Sequence, residues 1–132
     1  MKLALVAVLL PEYEAGIAFF AAIGFSLTED SDQGGGGKRW VTVEPPGGGS
    51  SLLLARAIGD QRAAIGAQAG GRVGFFLHSA DFGKDAERII AAGGVFEKKP
   101  RREPYGTIAV FRDPFGNRWD LIQPAAPLDH RA

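Results

Sequence analysis

The chain has 132 residues, 45% of them hydrophobic, enough for one compact domain that buries roughly two-thirds of its unfolded surface. Lys and Arg number 15 and Asp and Glu 15, so no net field gathers nucleic acid or anionic lipid, and polyanions are poor partners. The absence of Cys removes disulfides, thiolate nucleophiles and thiolate metal sites, which suits a cytoplasmic protein.

Met1-Lys2 and the apolar residues 3–10 imitate a secretory signal, but Pro11, Glu12 and Glu14 interrupt it and no small-residue cleavage site follows, so a buried first strand is predicted. No apolar run approaches the ~20 residues that span a bilayer, so no membrane partner is expected. Tyr13, Ile17, Phe20 and Ala21 recur at helical spacing until Gly24 stops the helix. Strands follow at 25–29, 39–44 and 51–57, separated by the hairpin loops Gly34-Gly35-Gly36-Gly37 and Pro45-Pro46-Gly47-Gly48-Gly49-Ser50. Gly37-Lys38 matches the end of a phosphate loop only superficially, because Arg39-Trp40-Val41 continues as strand and no Ser or Thr opens a helix. Ser50-Ser51 lies in a Gly/Pro loop and not at a strand-to-helix elbow, which disfavours a serine nucleophile.

Residues 58–71 link this half to a second one, with a short helix expected over 60–65. The chain then matches itself at an offset of 69: Glu12-Tyr13 falls on Asp81-Phe82, Gly24 on Gly93, Val6 on Phe75 and Val8 on Leu77. Residues 72–78 form a strand. Asp81 caps a helix carrying Phe82, Ala86, Ile89 and Ile90 that ends at Gly93-Gly94, and strands follow at 95–97, 107–112 and 118–123. The basic run Lys98-Lys99-Pro100-Arg101-Arg102-Glu103-Pro104 reads as a solvated loop. Asp113-Pro114-Phe115-Gly116-Asn117 must reverse the chain, because Pro fixes φ and Gly permits a positive one, so it is a turn and not an acid site. The organisation is βαβββ twice: module one 1–57, linker 58–71, module two 72–124 and a tail at 125–132. Each unit covers one sheet face with its helix, so the two are expected to combine around a shared cavity.

The closing phrase, from Tyr105-Gly106-Thr107 through Asp113-Pro114-Phe115-Gly116-Asn117-Arg118-Trp119 to Gln123, resembles the last hairpin of the vicinal oxygen chelate superfamily, with Phe19-Phe20 to Gly24-Phe25 a weaker echo. That superfamily includes glyoxalase I, the bleomycin-resistance proteins and the extradiol dioxygenases. The resemblance covers residues 2–124. It implies an α+β fold of two βαβββ modules pairing into a curved, incompletely closed mixed sheet around a cavity, and a homodimer. It also implies a divalent metal held by the first and last strand of each module, which here places the ligand positions at Leu5, about Leu54, Gly74 and Asp120. Only Asp120 can ligate, and one carboxylate does not hold a transition metal against water, so no metal is expected at the usual positions.

Strand alternation assigns the faces. Leu3, Leu5, Ala7 and Leu9, then Trp40, Thr42 and Glu44, then Leu52, Leu54 and Arg56 are predicted toward the cavity. In module two the same holds for Arg72, Gly74, Phe76 and His78, and for Arg118, Asp120 and Ile122, with Val73, Phe75, Leu77, Trp119 and Leu121 against the helix. His78 has three readings: a displaced metal site with Asp120 and Glu44, an acid/base pair with a carboxylate, or a cap for the following helix. Arg56 either receives a carboxylate or phosphate of a ligand or pairs with Glu44 or Asp120. Trp40, Phe76, Tyr105 and Phe111 offer an aromatic pocket wall, although aromatics in strands also serve as core, and Gln68 in the linker either contacts a ligand or orders its loop. The function expected is binding of a small apolar or aromatic molecule, with a metal-dependent lyase, isomerase or dioxygenase as the rival. His78 and Asp120 are the candidate catalytic pair.

Overall fold

Helix α1 (Tyr13–Ala22) forms because Tyr13, Gly16, Phe19 and Phe20 fall on one buried face. It lies against a sheet made of β1 (Leu5–Leu10), β2 (Ser26–Asp32), β3 (Arg39–Glu44) and β4 (Ser51–Arg56). The computed structural model describes residues 1–126. The chain divides into two units, Met1–Gln68 and Ala69–Ala132, the boundary falling inside the predicted linker.

In the first unit the strand order is β1-β4-β3-β2, with β1 and β4 parallel and the other pairs antiparallel. Val8 pairs with Leu54, and Leu54 with Val41, so these fully buried residues share the helix-facing side. A Cβ at Gly16 would collide with the Leu10 side chain and lie 3.3 Å from that of Leu54, so glycine is what lets α1 settle onto β1 and β4. A short 3-10 helix, Gly59–Ala64, follows β4, one residue earlier than the short helix predicted over 60–65.

The second unit repeats the plan. β5 (Val73–His78), α2 (Phe82–Ala91), β6 (Val95–Phe96), β8 (Gly106–Arg112) and β9 (Arg118–Pro124) give the order β5-β9-β8-β6, again with the first and last strands parallel. Helices α1 and α2 are in register at the offset of 69 read from the sequence, and Gly24 and Gly93 both end their helices at positive φ, 102° and 103°. Asp81 caps α2 by accepting from the Lys84 N–H at 3.1 Å, as predicted. The run 98–104 is not a plain loop: Arg101–Glu103 is strand β7, paired with β8. Its three consecutive charged residues show none of the polar-apolar alternation that marks a strand.

The turn between β8 and β9 is organised by Asp113, which is only 4% exposed. Its carboxylate accepts from the backbone N–H of Phe115 and Asn117, from Asn117 Nδ2, and from Trp119 Nε1 at 2.9 Å. The aromatic core of the unit stacks beneath it, Phe75 on Trp119 at 4.4 Å and Phe111 on Trp119 at 5.9 Å between centroids. The fold is α+β, two mixed sheets with few helices and neither closed into a barrel. No helix of the described residues is long and apolar enough to cross a membrane. Of the predicted tail, residues 127–132 lie outside the described residues.

Candidate functional site

The face of the first sheet turned away from α1 is set by register. Ala7 pairs with Leu53, Leu53 with Thr42, and Leu9 with Ala55, while Trp40 and Glu44 alternate with the buried Val41 and Val43. Leu5, Ala7, Leu9, Trp40, Thr42 and Glu44 therefore take the predicted face. Leu52, Leu54 and Arg56 do not: they point to the α1 side, and Leu53 is the β4 residue on the open face. Leu52-Leu53-Leu54 shows no polar alternation, so the strand's own sequence cannot reveal which leucine turns outward. The pairing with Val8 and Val41 decides it.

At the end of β4 a groove of about 460 Å³ opens in this unit. Leu9, Leu53 and Ala55 provide its aliphatic lining, Trp40 (36% exposed) an aromatic one, and Tyr13, Lys38, Arg39 and Arg56 its polar rim. Arg39 is held by two carboxylates. Its Nε and Nη2 donate to Asp30 at 3.0 and 2.6 Å, and its Nη1 donates to Glu14 at 2.5 Å. These bonds raise the Arg39 pKa, and the Asp30 carboxyl is lowered chiefly by its hydrogen bond from Arg39. The Arg39 backbone N–H donates to the Tyr13 hydroxyl at 3.1 Å, and the guanidinium carbon lies 5.0 Å from the Tyr13 ring centroid. Arg56 lies over the same ring at 5.5 Å. Neither of the carboxylates proposed for it from sequence, Glu44 or Asp120, pairs with it, and its guanidinium makes no ion pair or hydrogen bond among the described residues.

In the second unit the face away from α2 carries Gly74, Phe76 (62% exposed), His78 and Asp120, as parity predicts, with Phe76 directly opposite Asp120. Burial pushes the Asp120 carboxyl above the usual range, and Arg101 and Arg118 partly oppose that shift. His78 stands opposite Ile122, two pairs further along, and is exposed. Its imidazole forms no hydrogen bond among the described residues, so neither the acid/base pair nor the helix cap materialises; Asp81 is the cap. A neighbouring cavity of about 150 Å³ is lined in part by Lys98, Lys99, Arg101 and Arg118. Beside it Glu97 is clasped by Arg118 through two bonds of 2.8 Å and by Arg112 at 3.0 Å, and the Arg118 hydrogen bonds keep its carboxyl below the usual range.

Two predicted pocket residues have other duties. Phe111 is fully buried on the α2 side, opposite Trp119. Gln68 serves its loop: its Oε1 accepts from the Leu9 N–H at 2.8 Å and its Nε2 donates to the Ala7 carbonyl at 3.0 Å, supplying the bonds a neighbouring strand would give to the free edge of β1. Tyr105 is exposed in the turn between β7 and β8. Tyr13, Lys38 and Leu53 were missed as groove residues. Tyr13 was read only as helix core, and its signal was the Tyr hydroxyl at the first helical position, where a polar tip reaches the end of the sheet.

The donors present do not fit the metal implied by the resemblance. Leu5 and Gly74 stand at two of its positions, Leu53 takes the third on register, and Asp120 alone carries a donor. Among the described residues no group of three or more His, Cys, Asp or Glu could hold a metal ion. No step is derived through one.

Two units that each place the first strand beside the last, with a helix on one face, define a glyoxalase-type fold. The model of the Glyoxalase/Bleomycin resistance protein/Dioxygenase superfamily matches residues 2–121, and the chain belongs to that superfamily. An uncharacterized protein of Shewanella frigidimarina (strain NCIMB 400) is 46% identical over 121 residues, covering 89% of this chain and 90% of its own. Among solved structures, TnmS3, an antibiotic binding protein from Streptomyces sp. CB03234, is 28% identical with a TM-score of 0.72, covering 95% of this chain and 97% of its own. A glyoxalase/bleomycin resistance protein from the same Streptomyces is 29% identical with a TM-score of 0.66, covering 91% and 98%.

Proposed function

We propose that this chain binds a small aromatic or apolar molecule in the groove at the end of β4. The observation that carries the proposal is the pairing of a half-open Trp40 with the aliphatic side chains of Leu9 and Leu53 in one groove of about 460 Å³, within the range of small-molecule pockets. A flat ring against Trp40 gains dispersion and stacking worth about 0.5–1.5 kcal/mol beyond its area. The likeness to an antibiotic binding protein supports a binding role of this kind. The superfamily resemblance adds a homodimer to the proposal, and light scattering at twice the chain mass checks it.

A thermal-shift screen of small aromatic molecules tests the binding role. Ligands of this class should raise the melting temperature of the native chain and quench Trp40 fluorescence, and Trp40→Ala should lose the stabilisation. A broad aromatic set that never moves the melting point abandons the proposal.

A further inference from the structure

Building on the groove as the ligand site, we infer that the ligand is an aromatic carboxylate and that Arg56 is its anion anchor. The chain as a whole is electrically neutral, yet the groove is not: Lys38, Arg39 and Arg56 line it and no acidic side chain does. Two of its cations differ in one respect. The charge of Arg39 is answered by Asp30 and Glu14. No carboxylate among the described residues pairs with Arg56, whose guanidinium lies over the face of Tyr13.

Tyr13 has a second effect. It is buried, and its ring backs both guanidinium groups, so Arg56 is positioned by a contact that consumes none of its five N–H donors. A planar fork held this way matches the two oxygens of a carboxylate, and its ordering cost is already met before the ligand arrives. Gly37 leaves space beside the fork: a Cβ there would sit 3.3 Å from Nη2, and its φ of +84° makes a larger residue costly. The other polar side chain near the rim, Gln61, is occupied, because its Oε1 accepts from the Ile58 N–H at 3.1 Å. Trp40 and Leu53 lie on the open face and Arg56 on the α1 side, yet all three line the one groove at the end of β4, so a ligand whose ring rests on Trp40 and Leu53 meets Arg56 by reaching past that strand end.

The test compares 2-naphthoate with its neutral isostere 2-naphthamide, by titration calorimetry and Trp40 fluorescence, with Trp40→Phe assigning the optical signal. The native chain should bind naphthoate at least about tenfold more tightly than the amide, and Arg56→Gln should erase that advantage. Equal affinities in the native chain, or an advantage that survives Arg56→Gln, would overturn the anion anchor and leave the aromatic groove standing. Failure of both probes to bind would sink the groove as well. The native-chain comparison needs no variant, so a misfolded Arg56→Gln cannot rescue the inference.

Discussion

The two units share a strand order and a helix register, but they pair different charges at the sheet. In the second unit, Arg118 and Arg112 share Glu97, while Lys98 and Lys99 beside them make no ion pair among the described residues. In the first, Arg39 is spent on Asp30 and Glu14 while Arg56 is left with an aromatic face and a groove. The helices differ too. At equivalent positions α1 has Gly16, which admits the sheet, and α2 has Asp85, which accepts a hydrogen bond from the Ser79 hydroxyl. A repeated backbone therefore guarantees only where residues sit; the side chains of each copy decide which charges are paired.

Five substitutions probe that contrast, from the largest effect downward. Asp113→Ala should cost about 3 kcal/mol or more, because it strands the buried Trp119 Nε1 and the N–H groups of the turn; urea unfolding measures it, and a loss under about 1 kcal/mol would contradict the role given to this carboxylate. Gly16→Ala should cost about 1–3 kcal/mol by overpacking against Leu10 and Leu54, whereas Asp85→Asn, at the matching site in α2, should cost less. Glu97→Gln should cost under about 1 kcal/mol, since the clasp is open to solvent. Because the folded Glu97 pKa is lowered, that stability is present above the unfolded carboxyl pKa and disappears as pH falls through the folded value. Melting curves of the variant and native chain should thus converge in acid.

Asp120 runs the other way and gives the smallest change. Its folded pKa is raised, mainly by burial, so the folded state holds the proton more tightly and its ionisation costs stability as pH rises through the raised value. Asp120→Asn should stabilise the chain slightly at pH 7, by less than about 1 kcal/mol, and the gain should vanish once pH drops below the ordinary Asp range. A variant that melts lower than the native chain at pH 7 would show that Asp120 has a stabilising partner.

Much of the fold was legible because its signals are local. Asp113 to Asn117 dictates a reversal, Asp81 caps the helix it precedes, and the offset of 69 returns the two helices to the residue. The site was less legible, because it depends on pairing between strands distant in sequence. Alternation placed Trp40 and Asp120 correctly, where polar and apolar residues take turns, and Phe76 too, through its spacing from His78. It failed at Leu52-Leu53-Leu54, where three equal side chains hide the pleat, and the same slip carried Arg56 to the wrong face. Phe111 was called to a pocket wall though it stands opposite Trp119 in the core, and Gln68 binds β1 through a contact between residues 59 and 61 positions apart.

Calorimetric titration of 2-naphthoate into Trp40→Ala and Phe76→Ala variants tests most directly which unit binds. Both replaced side chains are exposed aromatics on a sheet face turned from the helix, one in each unit. Affinity should fall about tenfold or more for Trp40→Ala and stay at the native value for Phe76→Ala. The reverse pattern would move the binding site out of the first unit and contradict the account.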